Sequence, residues 1–415
     1  MLSVSEALSR VLSNFQPLGA EPVAAIDAAG RVLAEPVWAT LNLPSFANSS
    51  MDGYAVRAAD VRGAAAHAPA TLAVIGDVPA GVLPSVAVQS GAAVRIMTGA
   101  HVPGGADAVV PVEATDDTRS PTGGPLPAFV QIREPVLAGA NIRVVGEDVR
   151  LGEEVLPRGT PLRPYDIGVL AAFGMNQVAV VRRPRVAILG TGDELVDIDQ
   201  VPADGQIRDT NSLTLTALAR KYGAEPIRLG LARDRVEDVY ARLLSAVQSG
   251  ADLIVSSAGV SVGAYDVVKA ALERGGSLDF WRVRMRPGKP LAYGRFRGVP
   301  FFGLPGNPVS AVVGFEIFVR PAILKLAGRL RLDKPKVEVS ISEPLYSDGR
   351  ESYLRAVVVR DGDGYVARSA GGQGSNMIAS LARSNALVII PEGVRAVAAG
   401  TRLAAWMLDW PEEVF

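Results

Sequence analysis

Hydrophobic positions change their period three times along the chain. At the start Val4, Leu8, Val11, Leu12 and Phe15 fall on one face at helical spacing, which predicts a helix over about Ser3 to Phe15. From about Val23 to Val181 this gives way to short apolar runs, "TLAVIG", "AVRIMTG" and "DAVVPVE", separated by Gly, Pro and small polar residues. Such texture predicts a β-rich, irregular region, built as two interleaved small domains. Within it "SPTGGPLP", Ser120 to Pro127, reads as a mobile hairpin loop.

From Arg185 to about Gly328 strand-like and helix-like segments alternate. "RVAILGTG", "EPIRLGLARD" and "DLIVSSAG" read as strands, "NSLTLTALARKYG", "RVEDVYARLLSAV" and "YDVVKAALERGG" as helices. Alternation of this kind predicts right-handed crossovers and a mostly parallel sheet. Ligands of such sheets bind beyond the C-terminal strand ends, which places Thr191 to Glu194, Asp234 and Ser256 to Asp266 on one rim. Two runs joined by turns and a helix from about Pro308 to Ala327 close the segment. Beyond Lys334, "KVEVSISEPL", "ESYLRAVVV", "GYVARSA" and "ALVIIPEG" predict a small all-β domain.

Composition narrows the chemistry. At 415 residues the chain calls for several cores. A net charge of −1 gives no electrostatic reason to expect nucleic acid. Glu6 and Arg10 interrupt what a signal peptide would need, and no run of about 18 apolar residues offers a membrane span, so a cytoplasmic location is expected. With no cysteine and only His67 and His101, thiolate and imidazole-rich metal sites are excluded. Any metal should be oxygen-bound, with Mg²⁺ the default, and catalysis should rest on carboxylates, cations, hydroxyls and backbone amides.

Neither of the two common glycine-rich nucleotide fingerprints is present. "SSAGVSVGAYD" offers the hydroxyls of Ser256, Ser257 and Ser261, with Gly259 and Gly263 allowing amides to approach an anion; a plain strand–helix turn is the alternative. "RMRPGKPLAYG" sets Arg284, Arg286 and Lys289 around a turn stiffened by Pro287 and Pro290, and "GLPGNPVSA" adds a second rigid turn before a helix. Asp193, Glu194, Asp209, Asp234 and Asp266 follow predicted strands, where a hard cation bridging phosphate oxygens would sit. Singly each reads sooner as a helix cap or turn acid, and it is their convergence on one strand-end rim that favours a site.

Taken in order, "PSFANSSMDGYAV", "VRIMTGAHVPGGADAVVPVE", "GEDVRLGEEVL", "VAILGTGDELV", "GQIRDTNS", "SSAGVSVGAYD", "MRPGKPLAYG", "FFGLPGNPVSAVVGFEIFVRP" and "GGQGSNMIASLARSNALVIIPEG" resemble the MoeA molybdopterin molybdenumtransferase family, whose architecture the gephyrin E domain shares. The resemblance implies a multi-domain α/β plus all-β protein. Its expected parts are a discontinuous domain I (1–43 and 140–181), a β-rich domain II (44–139), a MogA-like α/β domain III (182–328) and a barrel-like β domain IV (329–415). It further implies Mg²⁺-dependent insertion of molybdate into adenylylated molybdopterin with release of AMP. It implies a homodimer as well, with the adenylyltransferase and molybdoenzyme maturation factors as candidate partners.

By position, the resemblance implies activity for Asp52, Thr98 and Asp148, and a nucleotide and metal role for Glu194, Asp234 and Asp266. Arg286, Lys289, Ser310, Arg355 and Ser375 match the surroundings of molybdate, and Pro305 and Pro308 the rigid turn. Ala258, Ala264 and Arg286 depart from the family's commoner residues. An adenylyltransferase and a non-catalytic dimeric scaffold are the alternatives; the acidic rim argues against the scaffold.

Overall fold

The computed structural model describes residues 1–117, 125–257 and 264–410. It divides into two compact units, one of residues 1–35, 158–170 and 175–415, the other of 36–157 and 171–174. The second unit is wider than the 44–139 stretch expected for a β-rich domain.

In the first unit a six-stranded sheet runs in the order Glu225–Ala232, Arg185–Thr191, Leu253–Ser257, Val299–Leu304, Pro290–Phe296, Gly276–Arg282. The first four strands are parallel, as alternation with helices predicts, and the last two are joined on by antiparallel pairings. Successive residues of the Arg185–Thr191 strand serve opposite layers, as the period of two requires. Val186 and Ile188 pack with Leu215 and Ala219 of the Asn211–Lys221 helix, whereas Ala187 and Leu189 pack with Val239 and Leu243 of the Val236–Gln248 helix. Both faces are therefore covered, which explains why these strands are continuous apolar runs.

The helix expected over 308–327 is present as Pro308–Gly314, a wider π turn at Phe315–Val319, and Arg320–Leu326. The π turn carries the buried Glu316, which accepts from Lys334 Nζ at 2.7 Å and from the Tyr222 hydroxyl at 2.8 Å. Lys334 opens the chain's passage into the C-terminal sheet. There Glu351–Asp361, Gly364–Ser369, Lys336–Ile341, Arg402–Met407 and Ala386–Ile390 pair in turn, and the last returns to the first, closing a barrel. Val339, Ile341, Val358, Val388 and Met407 fill it.

The second unit holds a five-stranded sheet in the order Ala108–Pro111, Gly53–Val56, Ala92–Ile96, Ala70–Val78, Phe129–Ile132. Its ends meet where Thr115 bridges Ile132 and the Asp116 amide donates to the Gln131 carbonyl at 3.1 Å. Residues 120–124 of the Ser120–Pro127 loop lie outside the described residues.

Candidate active site

A cleft of about 950 Å³ opens in the first unit between the parallel strand ends and the C-terminal barrel. Thr191, Ser257 and Pro305, each at or just beyond the C-terminal end of a parallel strand, form its floor. Beside them Asp209, almost fully buried, accepts from the Ser212 amide at 3.0 Å and from its hydroxyl, fixing the start of the Asn211–Lys221 helix. Gly190 makes room for this arrangement, since a Cβ there would come within 2.9 Å of both the Asp209 carboxylate and the Ser212 hydroxyl.

The basic turn is tied to both halves of the cleft. Met285–Arg286 pairs in parallel with Glu351–Ser352 of the barrel sheet, after which Pro287, Gly288 and Lys289 run along the cleft wall. Gly288 has φ +94°, a conformation other residues rarely adopt. Arg350, also lining the cleft, donates Nη1 to the Met285 carbonyl at 3.0 Å and is gripped along its Nε edge by Asp348. That grip, with Arg286 adding to it, holds the Asp348 carboxyl down to about 2.

Facing the turn, Pro305, Gly306, Asn307 and Pro308 form the second rigid turn. The Val309 amide donates to the Ser375 carbonyl at 3.0 Å, which brings the barrel's Gln373–Asn376 loop to the cleft beside the buried Ser310. Behind that loop lies Arg355, at 1% exposure. Its Nε donates to Ser380 Oγ at 2.9 Å and Nη2 to the Gly372 carbonyl at 2.8 Å, while Nη1 has no partner. Burial, with Arg286 adding like-charge repulsion, pulls this guanidinium down to about 10. Arg355 thus supports the loop and adds positive potential from behind without lining the cleft.

Glu194 and Asp234 both line the cleft. Asp193 Oδ1 accepts from the Asp234 amide at 3.3 Å, and burial, then Asp193, then Glu194, raises the Asp234 carboxyl above its ordinary value. Negative charge therefore accumulates where a cation would relieve it. Two carboxylates suffice for Mg²⁺, which keeps several waters and takes phosphate oxygens as further ligands. Among the described residues no group of three acidic or histidine side chains is close enough to form a protein-only cage. Asp266, in the first turn of the Ala264–Glu273 helix, is exposed and does not line the cleft.

The other expected residues divide cleanly. Ser256 is buried in its strand and Ser257 reaches the cleft, whereas Gly259, Ser261 and Gly263, with Ala258, lie outside the described residues, and of Ala264 only the backbone is described. In the second unit, one Asp52 oxygen accepts from the Thr98 amide at 2.7 Å and from its hydroxyl at 2.9 Å. Asp148 is exposed there, its amide donating to the Leu43 carbonyl at 2.9 Å. Sequence reasoning did not single out Arg350, Gln373 or Asn211 as cleft residues. Arg350 follows an Asp-Gly turn signal, but no local pattern says which barrel turns face the parallel strand ends.

Three family models match the chain: the MoeA N-terminal region (domain I and II) over residues 2–174, a probable molybdopterin binding domain over 187–325, and the MoeA C-terminal region (domain IV) over 339–408. Molybdopterin molybdenumtransferase 2 of Mycobacterium tuberculosis is 42% identical, covering 92% of this chain and 93% of its own. The molybdopterin molybdenumtransferase of Haemophilus influenzae is 38% identical over 96% and 97%. Among solved structures, the molybdopterin biosynthesis MoeA protein of Pyrococcus horikoshii OT3 superposes with a TM-score of 0.83 at 31% identity, covering 98% of this chain and all of its own.

Proposed function

As the chain belongs to the MoeA family, we propose that it is a molybdopterin molybdenumtransferase that inserts molybdenum from molybdate into adenylylated molybdopterin and releases AMP. It is a transferase of molybdenum cofactor biosynthesis, in keeping with the names of its relatives. The observation that carries the finer reading is one cleft lined by both a rigid cationic turn and a pair of carboxylates.

Arg286 and Lys289 supply charge for a dianionic oxyanion, and the Ser310 and Ser375 hydroxyls donors for its oxygens. Arg286 offers a planar fork and Lys289 a compact point charge, so the two act differently on one anion. Arg350 contributes less net charge, because Asp348 neutralises it. Glu194 and Asp234, which line the cleft, are the residues that would hold Mg²⁺. When bound, the ion supplies positive charge to the phosphate oxygens of the pterin nucleotide. The proline-stiffened turns keep these groups in place before substrate arrives, which lowers the ordering cost of binding.

The protein acts as a cytoplasmic homodimer in this reading, and Asp52, Thr98 and Asp148 of one copy serve the cleft of the other. The tie between Asp52 and Thr98, with Phe46 and Met51 exposed near them at 40% and 36%, supports a role at a surface covered in the assembly. No helix among the described residues is long and apolar enough to cross a membrane. The test is incubation of purified protein with adenylylated molybdopterin: AMP should appear only when molybdate and Mg²⁺ are both present. Adenylylation of free molybdopterin from ATP, without that release, would identify the adenylyltransferase instead.

A further inference from the structure

The Pro305–Pro308 turn is fastened on both flanks. On one side the Val309 amide meets the Ser375 carbonyl at 3.0 Å, and on the other Asn211 Nδ2 donates to the Gly306 carbonyl at 2.7 Å. Asn211 is the first residue of its helix and itself lines the cleft. Its backbone is set by the cap that Asp209 forms with Ser212, so the side chain starts from a fixed point. The side chain reaches 95 residues along the sequence to the turn's most exposed stretch, Gly306 and Asn307.

We infer that Asn211 is a positioning residue: its amide holds the Gly306 carbonyl so that the turn, with Ser310 behind it, presents a fixed wall to a tetrahedral oxyanion. This deepens the proposed function and rests on it for the identity of the anion, molybdate. The physical case is one of ordering. Without the side-chain donor the turn keeps its prolines but loses one of its two anchors, and binding must then order residues that are now prepaid. The bond is solvent-accessible, so its removal should weaken binding rather than unfold the protein. An acid at this position would set two acceptors against each other, and Ala or Ser would fall short of the carbonyl.

Asn211→Leu keeps the volume and removes the donor, and Asn211→Gln restores a donor one methylene further out. The expected result for Asn211→Leu is a rise of about five- to tenfold in half-saturating molybdate, with half-saturating adenylylated molybdopterin moving less. Amide exchange at Val309 should quicken in the substrate-free protein, and Asn211→Gln should recover part of both effects. Unchanged molybdate dependence and unchanged exchange would overturn the inference. So would an equal loss in both substrates with a lowered melting temperature and no recovery in Asn211→Gln. If the wild-type protein releases no AMP, the functional reading fails, and the exchange measurement alone decides whether Asn211 anchors the turn.

Discussion

Arg350 donates to the Met285 carbonyl at 3.0 Å, so a barrel residue holds the strand from which the cationic turn springs. Arg350 is itself oriented by Asp348, whose carboxyl sits at about 2 rather than 3.8. A carboxyl lowered in the folded state adds stability that is complete above its unfolded value and fades as pH falls from about 3.8 towards 2. Urea unfolding should therefore show Asp348→Asn less stable than wild type at pH 6, with the gap closing near pH 2.5. A gap that is constant across that range would contradict the assignment.

Lys334 and Glu316 form a buried pair at 2.7 Å, with both side chains at most 6% exposed. Removing the cation leaves the carboxylate with the Tyr222 hydroxyl at 2.8 Å and, as counter-charge, Arg320 at 3.8 Å, so Lys334→Met should cost about 3–5 kcal/mol. Replacing both partners, Glu316→Leu with Lys334→Met, should cost clearly less, because no charge is left uncompensated. Denaturant midpoints of the three proteins check this.

Lys289 is exposed on the cleft wall and carries no ion pair among the described residues. Lys289→Ala should leave the melting temperature within about a degree and raise half-saturating molybdate by about tenfold or more, the cost of one charge-assisted contact. Titration of molybdate into the protein, at fixed ionic strength, reads it directly.

Glu194→Gln combined with Asp234→Asn removes both cleft carboxylates and the crowding that raises Asp234. The double variant should fold at least as stably as wild type, yet need about a hundredfold more Mg²⁺ for AMP release. An unchanged Mg²⁺ requirement, at full rate, would show that the acids are structural.

Much of this architecture was legible in the residue pattern. The Arg185–Thr191 and Leu253–Ser257 strands announced themselves because burial on both faces leaves unbroken apolar runs, Val186 to Leu189 and Leu253 to Val255. Cleft residues on the parallel strand ends, Glu194, Asp234 and Ser257, followed from a general rule of such sheets. The pairing of Met285–Arg286 with the barrel did not, because two residues are too few to carry a period. Nor did the opposite fates of Arg350 and Arg355, one on the cleft wall and one sealed behind it. Both stand in one turn-and-strand stretch, and only the closure of the barrel decides which way each faces.

The most direct test counts atoms. Purified protein is given adenylylated molybdopterin, molybdate and Mg²⁺, and molybdenum retained on the pterin is measured against AMP released. One molybdenum per AMP is the predicted result. AMP release with no molybdenum retained would make the protein a nucleotide hydrolase, and would contradict molybdenum insertion at this cleft.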